Sequence, residues 1–377
     1  MVLFSKEVFL VKGPAIVRLS GKVWVLGKDV SDSNVYVDVG KILPFDRDSD
    51  CKISCTGGES WLASSSFVGT SIWKDIVQRI LFDVRILRTV LIMGNSDTGK
   101  STFAVYLINE ALHNGFRPCI IDADIGQGDL APPNAIGGAI VSNQITDLRE
   151  VNPQFIEFIG NISPAGFEEI IIKAVKKISK NIRILSDICI INTDGYVLKN
   201  GIDYKIRMAH EIKPDVVICL GQYSVFGTFR RNFLSSLVLY GKSPINTIKS
   251  KIDREQRRLT QFLRYVGGNY GSTAIISIKI KETVFVYKGK TYHRSQLGRY
   301  GSLYLMDRNN IVRIQRKKLV GIFVGLGSNS TIIGFGIIVS ASRGRLYIKS
   351  GISKFDEIYL SNSRIGQNDQ SELRVIN

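Results

Sequence analysis

The stretch Thr89-Val-Leu-Ile-Met93-Gly94-Asn-Ser-Asp-Thr-Gly99-Lys100-Ser101-Thr102 decides the fold. Thr89 to Met93 reads as a buried strand that runs straight into glycine, and Ser101 to Asn114 has the spacing of a helix. Between them, Gly94 to Ser101 satisfies G-x-x-x-x-G-K-[ST] in the strand–loop–helix setting that this pattern needs. Glycine lets successive backbone N–H groups turn inward on phosphate oxygens, and the helix N-terminus adds partial positive charge. A nucleoside triphosphate site follows, made by Gly94, Asn95, Ser96, Asp97, Thr98, Gly99, Lys100, Ser101 and Thr102. Lys100 is placed to reach the β- and γ-phosphates, Ser101 to ligate magnesium, and Thr102 to meet the neighbouring phosphate.

Outward from this loop the chain alternates strand and helix. Apolar residues recur at helical spacing from Trp73 to Phe82. Strands are expected at Pro118 to Asp122, Ile188 to Asn192 and Val216 to Leu220, and a helix around Phe167 to Ser179. Such alternation implies a parallel sheet. The fold class expected is α/β, a P-loop NTPase core flanked by small β-rich modules. The first 70 or so residues (VFLV, AIVRL, KVWVLG, VYVDVG) and the last hundred (TAIISIKI, TVFVYKG, RLYIKSG) have turn-punctuated strand patterns. The boundaries read as 1–72, 73–274 and 275–377.

The strand after the first helix ends Asp122-Ala-Asp124-Ile-Gly126-Gln127, so two carboxylates stand at the carboxyl edge of the sheet, where open α/β folds bind ligands. Spaced by two, they share one side of the strand. With Ser101, Asp122 and Asp124 are the candidate magnesium ligands, and Asp124 can accept a proton from an attacking hydroxyl.

Composition narrows the partner. Fifty Lys and Arg against 33 Asp and Glu give a net charge of +17, which favours a polyanion. Five cysteines, three of them in apolar runs, fit a reducing compartment, and three scattered histidines leave Cys51 and Cys55 without the second half of a zinc site. The N-terminus lacks the pattern of a secretory signal. The charge-free Leu319 to Ser342 stretch is long enough to span a bilayer, but glycine and β-branched residues around Gly-Leu-Gly-Ser-Asn-Ser-Thr make it two strands and a turn. No membrane association is expected. The localisation expected is cytoplasmic, or nuclear in a eukaryote. Arg230-Arg231 and Arg316-Lys317-Lys318 receive no role.

These residues resemble the polynucleotide 5′-hydroxyl kinase family, which includes the RNA-kinase subunit of the pre-mRNA cleavage and tRNA-splicing machinery and the ribosomal-RNA-processing kinases. The resemblance is to an archaeal-type member. It rests on the P-loop with Asp97, the D-x-D-x-G-Q run followed by Pro132-Pro133, the segment INTDGYV, and the arginine-rich stretch ending FLRYVGG at Gly268. It implies an ATP- and magnesium-dependent phosphotransferase acting on RNA, and on DNA as a second acceptor, with RNA-processing proteins as partners. It further implies that Asp124 activates the 5′-hydroxyl and that Arg254 and Arg258, spaced i and i+4, form a lid and stabilise the transferring phosphoryl group beside Lys100. Gln127, Asn192, Thr193 and Tyr196 are implied to grip the substrate. Tyr196 stands where the family has tryptophan, and Asn134-Ala135 where relatives have Gly-Thr. Two alternatives stay open: an ATP-bound scaffold without turnover, and a GTPase, because Ser250-Lys-Ile-Asp253 faintly echoes N-K-x-D. As a helix start, that tetrapeptide would be a cap.

Overall fold

The computed structural model describes residues 7–66, 68, 70–83, 88–197, 200–244, 250–267, 273–308, 310–367 and 373–376; Gly268 lies outside them. By internal contact the chain forms two compact units, one of residues 1–124, 137–155 and 175–254, the other of 125–136, 156–174 and 255–377.

In the first unit the central strand is β1 (Arg88–Gly94), followed by α1 (Lys100–His113) and β2 (Pro118–Ala123). Further on come β3 (Ala135–Ile140), α2 (Glu168–Ile182), β4 (Ile188–Thr193), α3 (Asn200–Ile212), β5 (Val216–Leu220), α4 (Tyr223–Asn232), β6 (Leu237–Gly241) and α5 (Lys251–Val266), of which β3 before Gly137, α2 before Val175 and α5 after Arg254 fall in the second unit. Within a seven-stranded sheet whose outer strand beside β3 is Phe155–Phe158, these six strands lie in the order β3-β2-β4-β1-β5-β6. The five strands other than β3 run parallel, and β3 lies antiparallel to β2. Thr89 to Met93 are wholly buried, which is why the run is apolar on both faces rather than alternating. β1 therefore has a neighbour on each side, and its C-terminal end shares an edge with those of β4 and β5. Every loop that leaves that edge can contribute to one site.

The N-terminal residues form small antiparallel sheets. In Ala15–Ser20 the inward residues are Ala15, Val17 and Leu19 and the outward ones Ile16, Arg18 and Ser20, a period of two. Asn109, wholly buried on α1, fastens this part to the core. Its amide donates to the carbonyls of Leu26 (2.7 Å) and Ile145 (2.8 Å) and accepts from the Ile145 N–H (2.9 Å). A buried amide is tolerated there because its hydrogen-bonding capacity is used.

In the second unit, strands between Ala274 and Ile376 build a large sheet, with Ile322–Ser328 and Thr331–Ser342 paired antiparallel at its centre, and a separate three-stranded sheet of Arg294–Leu297, Leu303–Asp307 and Asn310–Ile314. The uncharged stretch is thus a hairpin, as its glycines suggested. Among the described residues no helix is long and apolar enough to cross a membrane. Phe262 of α5 packs on Phe323 (centroids 4.4 Å apart) and Tyr265 edge-on against Phe335 (5.6 Å).

Candidate active site

The phosphate loop needs both its glycines. Gly94 has φ +153°, and a Cβ there would lie 2.5 Å from the Leu220 carbonyl oxygen and 2.7 Å from the Thr98 hydroxyl. Gly99, at φ +88°, would carry its Cβ 3.1 Å from both Pro244 and the Trp73 ring. Trp73 was not foreseen as a site residue. Its indole N–H donates to the Lys242 carbonyl (2.8 Å) and its ring meets Phe103 of α1 edge-on, so it buttresses the loop. Within the loop the Thr98 hydroxyl donates to the Asn95 carbonyl at 2.9 Å.

Lys100 is buried, and its ammonium donates to the carbonyls of Gly94 (3.0 Å) and Asn95 (2.7 Å). Burial pushes its pKa down, with Lys205 adding to the effect, while the charges of Asp124, Asp194 and Asp97 oppose the fall. Lys100 is therefore a cation taken out of water beside three carboxylates.

The opposite wall comes from β2 and β4, whose parallel register sets Asp122 against Asn192 and Ala123 against Thr193. The Asn192 amide donates to Asp122 Oδ1 (2.9 Å) and to Ser101 Oγ (3.2 Å), joining the helix N-terminus to the acidic strand end. Asp122 is buried and Asp124 half-buried, and the Asp124 N–H points to Asp122 Oδ1 at 3.4 Å. Ser101, Asp122, Asp124 and Lys100 are thus brought together.

Asn192 and Thr193 are turned into the protein. The Thr193 hydroxyl, wholly buried, donates to the Ile92 carbonyl of β1 at 2.9 Å. Both belong to the end of a strand flanked on each side, where side chains meet the sheet and α1 rather than solvent. Tyr196 is the half-exposed member of this segment, its ring 6.4 Å from that of Tyr204. Gly195 lets the segment close on the phosphate loop: a Cβ there would fall 2.4 Å from Ser96 Oγ.

Asp194, in the same segment, has three partners for its carboxylate among the described residues. Its carboxylate accepts the Tyr196 N–H (2.8 Å) and the Tyr204 hydroxyl (3.1 Å) and forms an ion pair with Lys205 (2.8 Å). Lys205 has no exposed surface, and its ammonium lies 4.5 Å from the centroid of the Tyr204 ring. Burial lowers its pKa, and Asp194 and Asp124 oppose this. The signal for Lys205 was present: α3 buries Gly201, Tyr204, Lys205, Met208, Ala209 and Ile212, so a lysine sits inside an otherwise helix-spaced buried stripe.

At the start of α5, Ser250 and Asp253 cap each other: the Asp253 N–H donates to Ser250 Oγ and the Ser250 N–H to Asp253 Oδ2, each at 3.0 Å. The tetrapeptide that echoed a guanine-reading motif is a helix cap. Arg254 pairs with Asp97 of the phosphate loop. Arg258, one turn further, is half-buried. In the second unit the buried arginine is Arg257, whose guanidinium grips both oxygens of buried Asp129, with Nε to Oδ1 at 3.1 Å. Gln261 donates to the Asp129 carbonyl (2.9 Å) and the Tyr265 hydroxyl to that of Leu130 (2.6 Å). These bonds fix the segment that carries Gln127, which is itself half-buried. In the same segment Asn134 has φ +76°, and its carbonyl accepts N–H groups from Ile159 (2.7 Å) and Gly160 (3.0 Å). Asparagine tolerates this left-handed conformation better than most side chains do.

Residues 94–268 match the family described as the P-loop of the mRNA cleavage and polyadenylation factor CLP1. The chain is 31% identical over 177 residues to a polyribonucleotide 5′-hydroxyl-kinase of Pyrococcus horikoshii, a match spanning 47% of this chain and about half (49%) of that protein. Similarity to the enzyme of the same name from Methanocaldococcus jannaschii is 24% over 317 residues, covering 74% of this chain and 88% of the relative. The polyribonucleotide 5′-hydroxyl-kinase Clp1 of Xenopus tropicalis is 29% identical over 214 residues, 53% of this chain and 48% of that one. Among solved structures, that of the wild-type Clp1p–Pcf11p complex has a chain that superposes with a TM-score of 0.72 at 14% identity, covering 97% of both chains.

Proposed function

We propose that this chain, whose residues 94–268 match the P-loop family of the mRNA cleavage and polyadenylation factor CLP1, transfers the γ-phosphate of ATP to the 5′-hydroxyl end of RNA. The observation that carries the proposal is the Asn192 bridge, which joins the phosphate-loop serine to the acidic strand end beside Asp124. The names of the archaeal and vertebrate relatives supply the acceptor class.

The loop fits a triphosphate because each of its glycines stands where a side chain would collide. Lys100 exchanges its two carbonyl acceptors for β- and γ-phosphate oxygens, a stronger, charge-assisted bond. The Ser101 hydroxyl and the carboxylates of Asp122 and Asp124 would hold magnesium, which when bound neutralises charge on the β- and γ-phosphates. Asp124 takes the proton of the 5′-hydroxyl as its oxygen bonds to the γ-phosphorus, and the bond to the β–γ bridging oxygen breaks in line, leaving ADP. Arg254 and Arg258 stabilise charge on the phosphoryl oxygens. Tyr196 stacks on a terminal base, Gln127 hydrogen-bonds the substrate, and Asn192 and Thr193 hold the clamp from inside. DNA is a second acceptor. Its place is the cytoplasm, or the nucleus in a eukaryote, beside an RNA-processing protein as Pcf11p stands beside Clp1p.

Labelled γ-phosphate should move from ATP to 5′-hydroxyl RNA oligonucleotides and not to the same oligonucleotides already 5′-phosphorylated. ATP binding without transfer to any RNA or DNA end would replace the kinase with a scaffold.

A further inference from the structure

Beyond the site described, the first unit has an aromatic surface without an assigned role. Tyr223 and Phe226 of α4 and Tyr240 of β6 form a three-ring cluster with centroids 5.3, 5.6 and 6.0 Å apart. Tyr223 is 70% exposed and Tyr240 37%. Exposed rings this close are unusual unless something stacks on them, because apolar area left in water is unfavourable. The charge of the segment that carries them is one-sided. From Gly221 to Pro244 the sequence has Arg230, Arg231 and Lys242 and no acidic residue, and the Arg230 guanidinium lies 6.0 Å from the Phe226 ring centroid. The surface also begins at the phosphate loop: two residues before Tyr223, a Cβ on Gly221 would lie 3.0 Å from Thr98.

The geometry points to a single-stranded RNA site on α4 and β6, where bases of the acceptor downstream of its 5′ end stack on Tyr223 and Tyr240 while Arg230, Arg231 and Lys242 meet its phosphates. Rings for base faces and cations for the backbone are the two components of sequence-tolerant single-strand binding, and a polyanion matches a segment without acids in a chain of net charge +17. An apolar protein partner would leave the three cations unmatched. The site deepens the kinase proposal and rests on it only for the choice of RNA.

The test is fluorescence anisotropy with a 3′-labelled 5′-hydroxyl oligouridine 12-mer in the absence of nucleotide, alongside phosphate transfer to the same oligonucleotide. The Tyr223→Ala/Tyr240→Ala variant, with its fold checked by circular dichroism, should bind at least about tenfold more weakly. Its KM for the 12-mer should rise while its KM for ATP stays unchanged, and Tyr223→Phe/Tyr240→Phe should bind as the wild type does. Arg230→Ala/Arg231→Ala should flatten the dependence of binding on salt by about two counterions. Ring-dependent binding without any phosphate transfer would sink the kinase reading and keep the site. Equal binding by the double alanine variant would overturn the site, as would no binding by the wild type. A fall in sedimentation coefficient with RNA binding intact would overturn it too, and would assign the rings to a contact between copies of this chain.

Discussion

Lys100 and Lys205 are two buried cations in one unit, and the groups that hold them differ. Burial pushes both toward neutrality, and Asp124 and Asp194 draw both back. Lys100 rests on two neutral carbonyls of its own loop, whereas Lys205 is paired with a carboxylate and covered by an aromatic ring. A neutral acceptor contributes about 0.5–1.5 kcal/mol and a charged one about 1.5–3 kcal/mol. Lys100 therefore loses little when phosphate replaces its partners, while Lys205 is committed to Asp194. In the proposed mechanism one lysine exchanges its carbonyls for a ligand; the other is tied to the loop that carries Tyr196.

The largest effect expected from this contrast is on turnover. Lys100→Ala should lower the rate of phosphate transfer by about 10³-fold while leaving the thermal unfolding curve nearly in place, because the hydrogen bonds lost are those to two neutral carbonyls. A large loss of stability with this variant would erase the difference between the two lysines.

Lys205→Met should do the reverse in kind. Leaving buried Asp194 without its cation should cost about 3–5 kcal/mol in denaturant unfolding, and adding Asp194→Asn should restore most of it. A cost below about 1 kcal/mol would mean that the pair is not what holds the segment.

Asp46 sharpens the contrast from the carboxylate side. Its side chain is buried with the Thr70 hydroxyl as partner, and burial raises its pKa to about 6, against the opposing Thr70 bond. Between pH 4 and 6 the native state keeps a proton that the unfolded chain gives up, so stability falls as pH rises through that window. Asp46→Asn should therefore gain roughly 2–3 kcal/mol at pH 7.5 and nothing near pH 4, measured by urea unfolding at both values. A gain of equal size at both pH values would show that the carboxyl does not titrate there.

Arg254, partly exposed and paired with Asp97, should give the smallest effect. Arg254→Ala is expected to reduce turnover about tenfold with a lesser change in ATP affinity, read from steady-state rates and calorimetry. An equal loss of both would make it a binding residue only.

The phosphate loop was legible because all its determinants are local: a run of five residues buried on both faces, glycines where backbone must turn, and a helix that begins at the lysine. The acidic strand end was legible for the same reason. The partners were not. Asn192 meets Asp122 because β4 lies beside β2 in parallel register, and strand order is not a local property. Arg257 was passed over for its neighbours Arg254 and Arg258 because its partner, Asp129, is 128 residues away in sequence. Lys205 could have been found: a lysine at a stripe position of a helix has to be matched by a buried anion, and the helix itself, with Gly201 inside it, was not anticipated. Asp194 received no role in the sequence, yet it is the anion that answers Lys205.

In the proposed reaction Asp124 takes the proton from an attacking hydroxyl in a site built by Lys100, Ser101 and Asp122. That step is tested most directly by Asp124→Asn in a single-turnover transfer assay on 5′-hydroxyl RNA, paired with calorimetry of ATP binding. ATP affinity kept within a fewfold and transfer reduced by about 10²–10⁴-fold is the predicted result. Transfer at the wild-type rate by this variant would contradict the account.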